Sequence, residues 1–223
     1  MSGEAARRMD PWRCAARMLG DLLIGVAIGL LGYYAVTNVV GVLDQRSLRA
    51  HLPASATRDA VVRSGPAKDF AGWAEQDRAY WEKLPEGGAF GRLVIARMKL
   101  DAVVVKGVSR ADLQRGPGWI SWTDLPGPSG NCGISGHRTT YLQPFRAIDT
   151  LREGDTIRFF SPYRRYIYRV KRTLVVLPSE VGVVASTATP MLTLTACEPP
   201  FSARYRIVVQ SDLVEVSRLA AEK

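Results

Sequence analysis

The chain has 223 residues, 47% of them apolar, and carries 30 Lys and Arg against 21 Asp and Glu for a net charge of +9. That length holds one full-sized domain plus an appendage, and the apolar content excludes a chain that is disordered throughout. Two histidines and three cysteines, without a dense Cys/His cluster, argue against a structural zinc site, and neither a metal nor a cofactor is expected.

The appendage comes first. Leu22 to Leu43 contains no charged residue and is long enough to cross a bilayer as a helix. Gly25, Gly29 and Gly32 lower helix propensity in water but are common in membrane spans, and Gly25-x-x-x-Gly29 offers a packing face. Arg7, Arg8, Arg13 and Arg17 precede the run and Arg46 and Arg49 follow it, which places residues 1–21 in the cytoplasm and everything after Leu43 outside. The run exceeds the apolar region of a secretory signal, and no clean small-x-small site follows it directly. A retained single-pass anchor in the cell membrane is therefore expected over a cleaved leader.

Residues 1–43 hold four of the basic residues and three of the acidic ones, so the positive balance belongs to the outer part. Facing outward, it meets anionic lipid headgroups and cell-wall polymers. No helix-turn-helix, zinc-finger or aromatic RNA-binding signature supports nucleic acid as a partner.

Residues 44–89 are expected to form an extracytoplasmic stalk that includes an amphipathic helix. Residues 44–66 mix Arg, Ser, Ala, Gly and Pro without a sustained period. From Lys68 to Leu84, Phe70, Trp73, Tyr80, Trp81 and Leu84 recur at near-helical spacing, with Asp77 interrupting the face and Pro85 and Gly87-Gly88 ending it. These aromatics read as packing residues.

From 90 to 216 the pattern is one of short β-rich runs. They are Leu93 to Ile95, Ala102 to Val105, Cys132 to Ile134, Thr156 to Phe160, Tyr166 to Val176, Met191 to Cys197 and Tyr205 to Val209. Turn clusters such as Gly116-Pro117-Gly118, Pro126 to Asn131 and Glu153-Gly154-Asp155 separate them, and Arg110 to Arg115 and Pro144 to Leu151 can each hold a helical turn. Seven or eight such strands predict a mainly β fold, a closed or nearly closed barrel. Residues 217–223 are left as a C-terminal tail.

The chemistry centres on Cys197, which closes the alternating run Leu192-Thr193-Leu194-Thr195-Ala196-Cys197. Pro199 and Pro200 cannot donate to a ladder, so the strand stops there and resumes at Tyr205, returning arginine toward the thiol. A cysteine nucleophile needs an acid/base, and imidazole is the usual one near neutral pH. His51 lies in the stalk, so the partner by elimination is His137, at the exit of Gly133-Ile134-Ser135-Gly136. Ser135 lacks the glycine placement of a nucleophile elbow and reads as a small barrel residue. A Cys132–Cys197 disulfide is the structural alternative in an oxidising exterior. Arg204 and Arg206 share strand parity, so both can face the sulfur.

These segments resemble the sortase family of membrane-anchored cysteine transpeptidases. The resemblance spans about Phe90 to Val214. It is carried by Gly130-Asn131-Cys132-Gly133-Ile134-Ser135-Gly136-His137-Arg138-Thr139-Thr140-Tyr141, by Leu192 to Cys197, and by Phe201-Ser202-Ala203-Arg204-Tyr205-Arg206. Pro144-Phe145-Arg146 and Leu151 to Asp155 point toward class E, with class D second. Ala196 before the cysteine, and the absence of Pro and Gly from Ile95 to Asp101, depart from the family pattern.

The resemblance implies a sortase-like closed barrel of seven to eight strands with short helices, behind an N-terminal transmembrane helix. It implies Cys197, His137 and Arg206 as the catalytic residues. The implied partners are surface proteins bearing a C-terminal Leu-Pro-x-Thr-Gly or Leu-Ala-x-Thr-Gly signal and an amine acceptor such as a cell-wall precursor or a pilin lysine. Reference acidities leave on the order of 1% of molecules with thiolate and imidazolium together at pH 7, which predicts slow turnover and a bell-shaped pH profile. Two other readings use the same residues differently: a tethered β-barrel that binds anionic envelope polymer, and a hydrolytic cysteine peptidase.

Overall fold

The structure, a computed structural model, describes residues 11–58 and 67–220. Residues 1–10 with Arg7 and Arg8, residues 59–66 of the expected stalk and residues 221–223 of the expected tail lie outside the described residues. The chain divides into two units, Met1–Val40 and Gly41–Lys223.

The described part of the first unit, from residue 11, is helical and belongs to α1 (Pro11–Ala50), whose side chains from Trp12 to Val39 are largely exposed. The most apolar stretch of α1 has a mean hydropathy of 1.8 and is long enough to cross a membrane.

In the second unit the end of α1 is followed by α2 (Ala54–Arg58). Next come a π-helical turn (Ala74–Arg78) running into α3 (Ala79–Lys83), β1 (Ala89–Ile95) and β2 (Leu100–Lys106). Then follow α4 (Arg110–Arg115), β3 (Gly118–Trp119), β4 (Asn131–Ser135), β5 (Thr156–Phe160), β6 (Arg164–Val176), β7 (Met191–Glu198) and β8 (Tyr205–Arg218). The eight strands close a barrel in the order β1-β2-β3-β4-β7-β8-β6-β5. Two of its pairings are parallel, β2 with β3 and β4 with β7.

Strand alternation explains the core. Leu192, Leu194 and Ala196 of β7, Cys132 and Ile134 of β4, and Ile207 and Val209 of β8 point into the barrel, joined by Leu93, Phe159, Tyr166 and Tyr168. Gly91 is required at one point of close approach, because a Cβ there would lie 2.3 Å from the Phe159 ring. The aromatic helix closes one end of this core. Trp81 stacks on Phe90 with ring centroids 5.1 Å apart, Phe90 stacks on Trp119 at 4.8 Å, and the Trp81 indole donates to the Phe90 carbonyl at 2.8 Å. Helical structure here is shorter than the spacing predicts, since Lys68 and its neighbours instead bridge to Val216.

Asp77 does not break the buried face as the sequence suggests. It is fully buried because Arg164, also fully buried, donates to its carboxylate and further bonds the carbonyls of Asp69 and Ala71 and the Gln76 amide oxygen.

Residues 44–58 depart from the expected stalk, for they are helical and packed. Leu48 and Leu52, one turn apart, are buried against Ala89, Val103 and Val105 on the outer face of β1 and β2. Beside them Gln45 pairs with Val103 in both directions: its amide nitrogen donates to the Val103 carbonyl at 3.0 Å, and its amide oxygen accepts from the Val103 N–H at 2.7 Å.

Candidate active site

Three strands supply the site, and their register decides which side chains share it. In β7 the residues alternating with the core set are Thr193, Thr195 and Cys197. In β4 they are Gly133, Ser135 and, two residues past the strand, His137. In β8 they are Arg206, Val208 and Gln210. The strand residues face away from the core; Thr193, Val208 and Gln210 are covered there, while Cys197 and Arg206 are half-buried.

Cys197 is the direct partner of Arg206 across the antiparallel β7–β8 ladder. Side chains at such positions leave the same face with Cβ atoms about 5 Å apart. On the other side of β7, the parallel β4–β7 ladder pairs Ser135 with Thr195, and the Gly136 N–H continues it to the Thr195 carbonyl at 3.1 Å. His137 follows directly after that last bond, outside β4, while β7 runs on through Cys197 to Glu198. The thiol thus has Arg206 as its cross-strand neighbour, and His137 lies on the segment that leaves the parallel strand β4.

Arg204, which parity alone could not separate from Arg206, lies before β8 begins. It is exposed, with its guanidinium over the Tyr205 ring at 5.2 Å. Arg206 is half-buried, and its Nη1 donates to the carbonyls of Ala203 and Tyr205 at 3.0 and 3.1 Å. The loop between β7 and β8 carries Phe201, 91% exposed and in the left-handed region at φ 66°.

His137 is half-buried, and loss of solvent lowers its pKa from the ordinary 6.5. Tyr141 contributes to that cover, its ring 5.3 Å from the imidazole. The chain reaches it through a left-handed turn in which Tyr141, Leu142 and Gln143 have φ of 48°, 63° and 49°, and the Phe145 N–H then donates to the His137 carbonyl at 3.0 Å. Gly136 leaves room for that return, since a Cβ there would meet the Phe145 ring at 2.8 Å.

Cys132 and Cys197 are both free. They sit on opposite faces of the barrel wall, with Cys132 fully buried in the core and paired in register with Leu192. Burial pushes the Cys132 thiol well above its ordinary value, which leaves it protonated and inert. His51 bonds the Ser47 carbonyl near the end of α1 and takes no part in the site.

Sequence reasoning missed three charged neighbours of the site. Arg138, buried, contacts Glu198 and Asp149. The signal was available, since opposite charges directly follow His137 and Cys197. Among the described residues, no group of three or more His, Cys, Asp or Glu is arranged to hold a metal ion.

Comparison with known proteins agrees with the geometry. The sortase domain family model matches residues 93–214. Sortase E2 of Streptomyces coelicolor is 31% identical over 97% of this chain and 90% of its own length. Sortase E1 of the same organism is 28% identical over 94% of this chain, which spans 60% of that relative's length. The crystal structure of sortase E1 from Streptomyces coelicolor, with a tripeptide in its active site, is 30% identical with a TM-score of 0.56, over 59% of this chain and 91% of that one.

Proposed function

From the premise that the chain belongs to the sortase family, we propose that it is a cysteine transpeptidase that attaches proteins to the cell surface, with Cys197 as nucleophile, His137 as acid/base and Arg206 as the cation. The observation that carries this reading is the pairing of Cys197 with Arg206 across β7 and β8, with His137 following the end of β4, the strand parallel to β7. A substrate peptide can reach the half-buried Cys197, and the tripeptide bound by sortase E1 of Streptomyces coelicolor supports that class of ligand.

In this mechanism the Cys197 thiolate attacks the threonine carbonyl of a C-terminal Leu-Pro-x-Thr-Gly or Leu-Ala-x-Thr-Gly signal. The His137 imidazolium gives its proton to the departing glycine amine as the C–N bond breaks, leaving a thioester and a neutral imidazole. An acceptor amine from a cell-wall precursor or a pilin lysine then attacks the thioester, His137 takes its proton, and the new amide releases the thiolate. Arg206 is always charged and offers several donors to the carbonyl oxygen as it becomes an oxyanion.

The lowered His137 pKa makes imidazolium scarce at neutral pH, so the chemistry is slow unless peptide binding changes that balance. In the proposed topology residues 1–21 are cytoplasmic, residues 22–43 span the membrane, and the barrel is extracytoplasmic, as the arginines flanking the apolar run favour.

The test is trapping. The full chain in detergent micelles is incubated with signal peptides of both kinds, with and without an added amine, and intact mass is recorded. We expect an adduct of the peptide ending at threonine on Cys197, its absence in Cys197→Ala, and its conversion to an amine conjugate. No adduct with any peptide overturns the reading. Conversion to free acid alone, with amine present, makes the protein a peptidase instead.

A further inference from the structure

Each member of the proposed dyad is followed in sequence by a charged residue, and the two charges meet. Arg138, directly after His137, donates from Nη1 to Oε2 of Glu198, directly after Cys197. Its Nη2 lies 2.9 Å from Oδ2 of Asp149, on the 3-10 turn Ile148–Thr150. The Arg138 side chain is 4% exposed, whereas the carboxylates reach solvent, Glu198 at 24% and Asp149 at 52%. A buried guanidinium held by two carboxylates on separate segments is no incidental surface pair; compare Lys171 with Asp212, about half exposed on both sides.

Backbone structure explains why a side-chain link is needed at this point. The β4–β7 ladder ends at Ser135 and Thr195, with one further bond from the Gly136 N–H. His137 and Cys197 lie beyond it, where strand ends open most easily. A misplacement of about 1 Å between reacting groups can cost on the order of 100-fold in rate. A planar guanidinium holds two carboxylates in a fixed geometry, whereas a lysine ammonium is a point charge on a flexible stem and sets no such angle.

We propose that Arg138 is a positioning residue that, by holding Glu198 and Asp149 together, fixes His137 against Cys197 beyond the last rung of the β4–β7 ladder. The inference rests on the transpeptidase reading for its purpose, but the clamp is a physical claim that can be read without turnover.

The experiment uses the full chain in detergent micelles, labelled with carbon-13 at histidine. Two histidines give two signals, and His51→Gln assigns them. Groups held close perturb each other's titration. We expect Cys197→Ala to move the His137 midpoint by about 1 pH unit in the otherwise native chain, and by less than about 0.3 in the Arg138→Met background. Glu198→Gln, at the more exposed end of the clamp, gives a second background that keeps the chain folded, with a displacement expected between the two. An equal displacement in the native and Glu198→Gln backgrounds, or none in the native chain, overturns the proposal. With active protein, Arg138→Lys is expected to lower kcat about 10-fold with KM within about twofold, and an unchanged kcat also overturns it. A native chain that forms no thioester sinks the transpeptidase reading but leaves the titration result standing, so the two failures are told apart.

Discussion

Cys197 and Arg206 are partners across the β7–β8 ladder, whereas Arg204 lies outside β8 with its guanidinium over Tyr205. The two arginines are two residues apart, and one strand boundary separates their roles. Arg206→Ala is expected to lower kcat by about 100-fold or more, as loss of an oxyanion donor does. Arg204→Ala should stay within about twofold. Steady-state kinetics on both variants decide the assignment, and a reversed order would place Arg204 at the sulfur.

The cover over His137 has a pH signature. In the proposed mechanism the competent form pairs imidazolium with thiolate, so the acidic limb of kcat/KM follows His137. Burial lowers that pKa, and Tyr141 supplies part of the burial. Tyr141→Ala admits water, raises the pKa toward 6.5 and should move the acidic limb to higher pH. A limb that stays in place would mean that other groups bury the imidazole.

The two cysteines of the barrel should differ sharply in reactivity. In a Cys14→Ala chain, iodoacetamide is expected to alkylate Cys197 and spare Cys132, which is fully buried with its thiol pushed up. Peptide mass mapping before and after denaturation checks this; Cys132 labelling in the folded chain would show that the barrel opens.

Acid stability should report on Asp101. Hydrogen bonds from Arg92, and then from Arg49, hold its carboxyl down at about 2 against an ordinary 3.8. A carboxyl depressed on folding stabilises the protein above its unfolded pKa, and that contribution is lost as pH falls from 3.8 toward 2. Asp101→Asn should therefore lower Tm slightly at neutral pH, the effect being small because the side chain is 42% exposed. Between pH 3.8 and about 2 its Tm should fall less steeply than that of the native chain. Parallel Tm curves would remove Asp101 as a contributor.

Much of this was legible in the sequence because strand parity is a strict code. The alternation Leu192-Thr193-Leu194-Thr195-Ala196-Cys197 assigns the core face and the reactive face in one line, and two histidines leave little choice of partner. Parity alone leaves Arg204 and Arg206 equivalent, because it does not give the register between strands; the pairing of Cys197 with Arg206 is what separates them. β3 escaped notice because two residues, Gly118 and Trp119, make too short a run to show a period. Residues 44–66 read as a stalk because they mix Arg, Ser, Ala, Gly and Pro without a sustained period, although Leu48 and Leu52 stand one turn apart. Asp77 looked like a flaw in an apolar face since its partner, Arg164, is far away in sequence.

The Gln45 amide has a practical consequence for where the chain can be cut. β3 pairs with β2 only at Val105 and Lys106, so the stretch of β2 around Val103 has no strand on the side away from β1. Gln45 gives Val103 both the donor and the acceptor that a neighbouring strand would have offered. A soluble fragment that starts at residue 51 would keep every side chain of the proposed site yet expose that backbone as a bare edge, an invitation to pair with another molecule. A fragment that starts before Gln45 keeps the edge sealed, so two preparations with identical active sites would differ in whether they stay in solution.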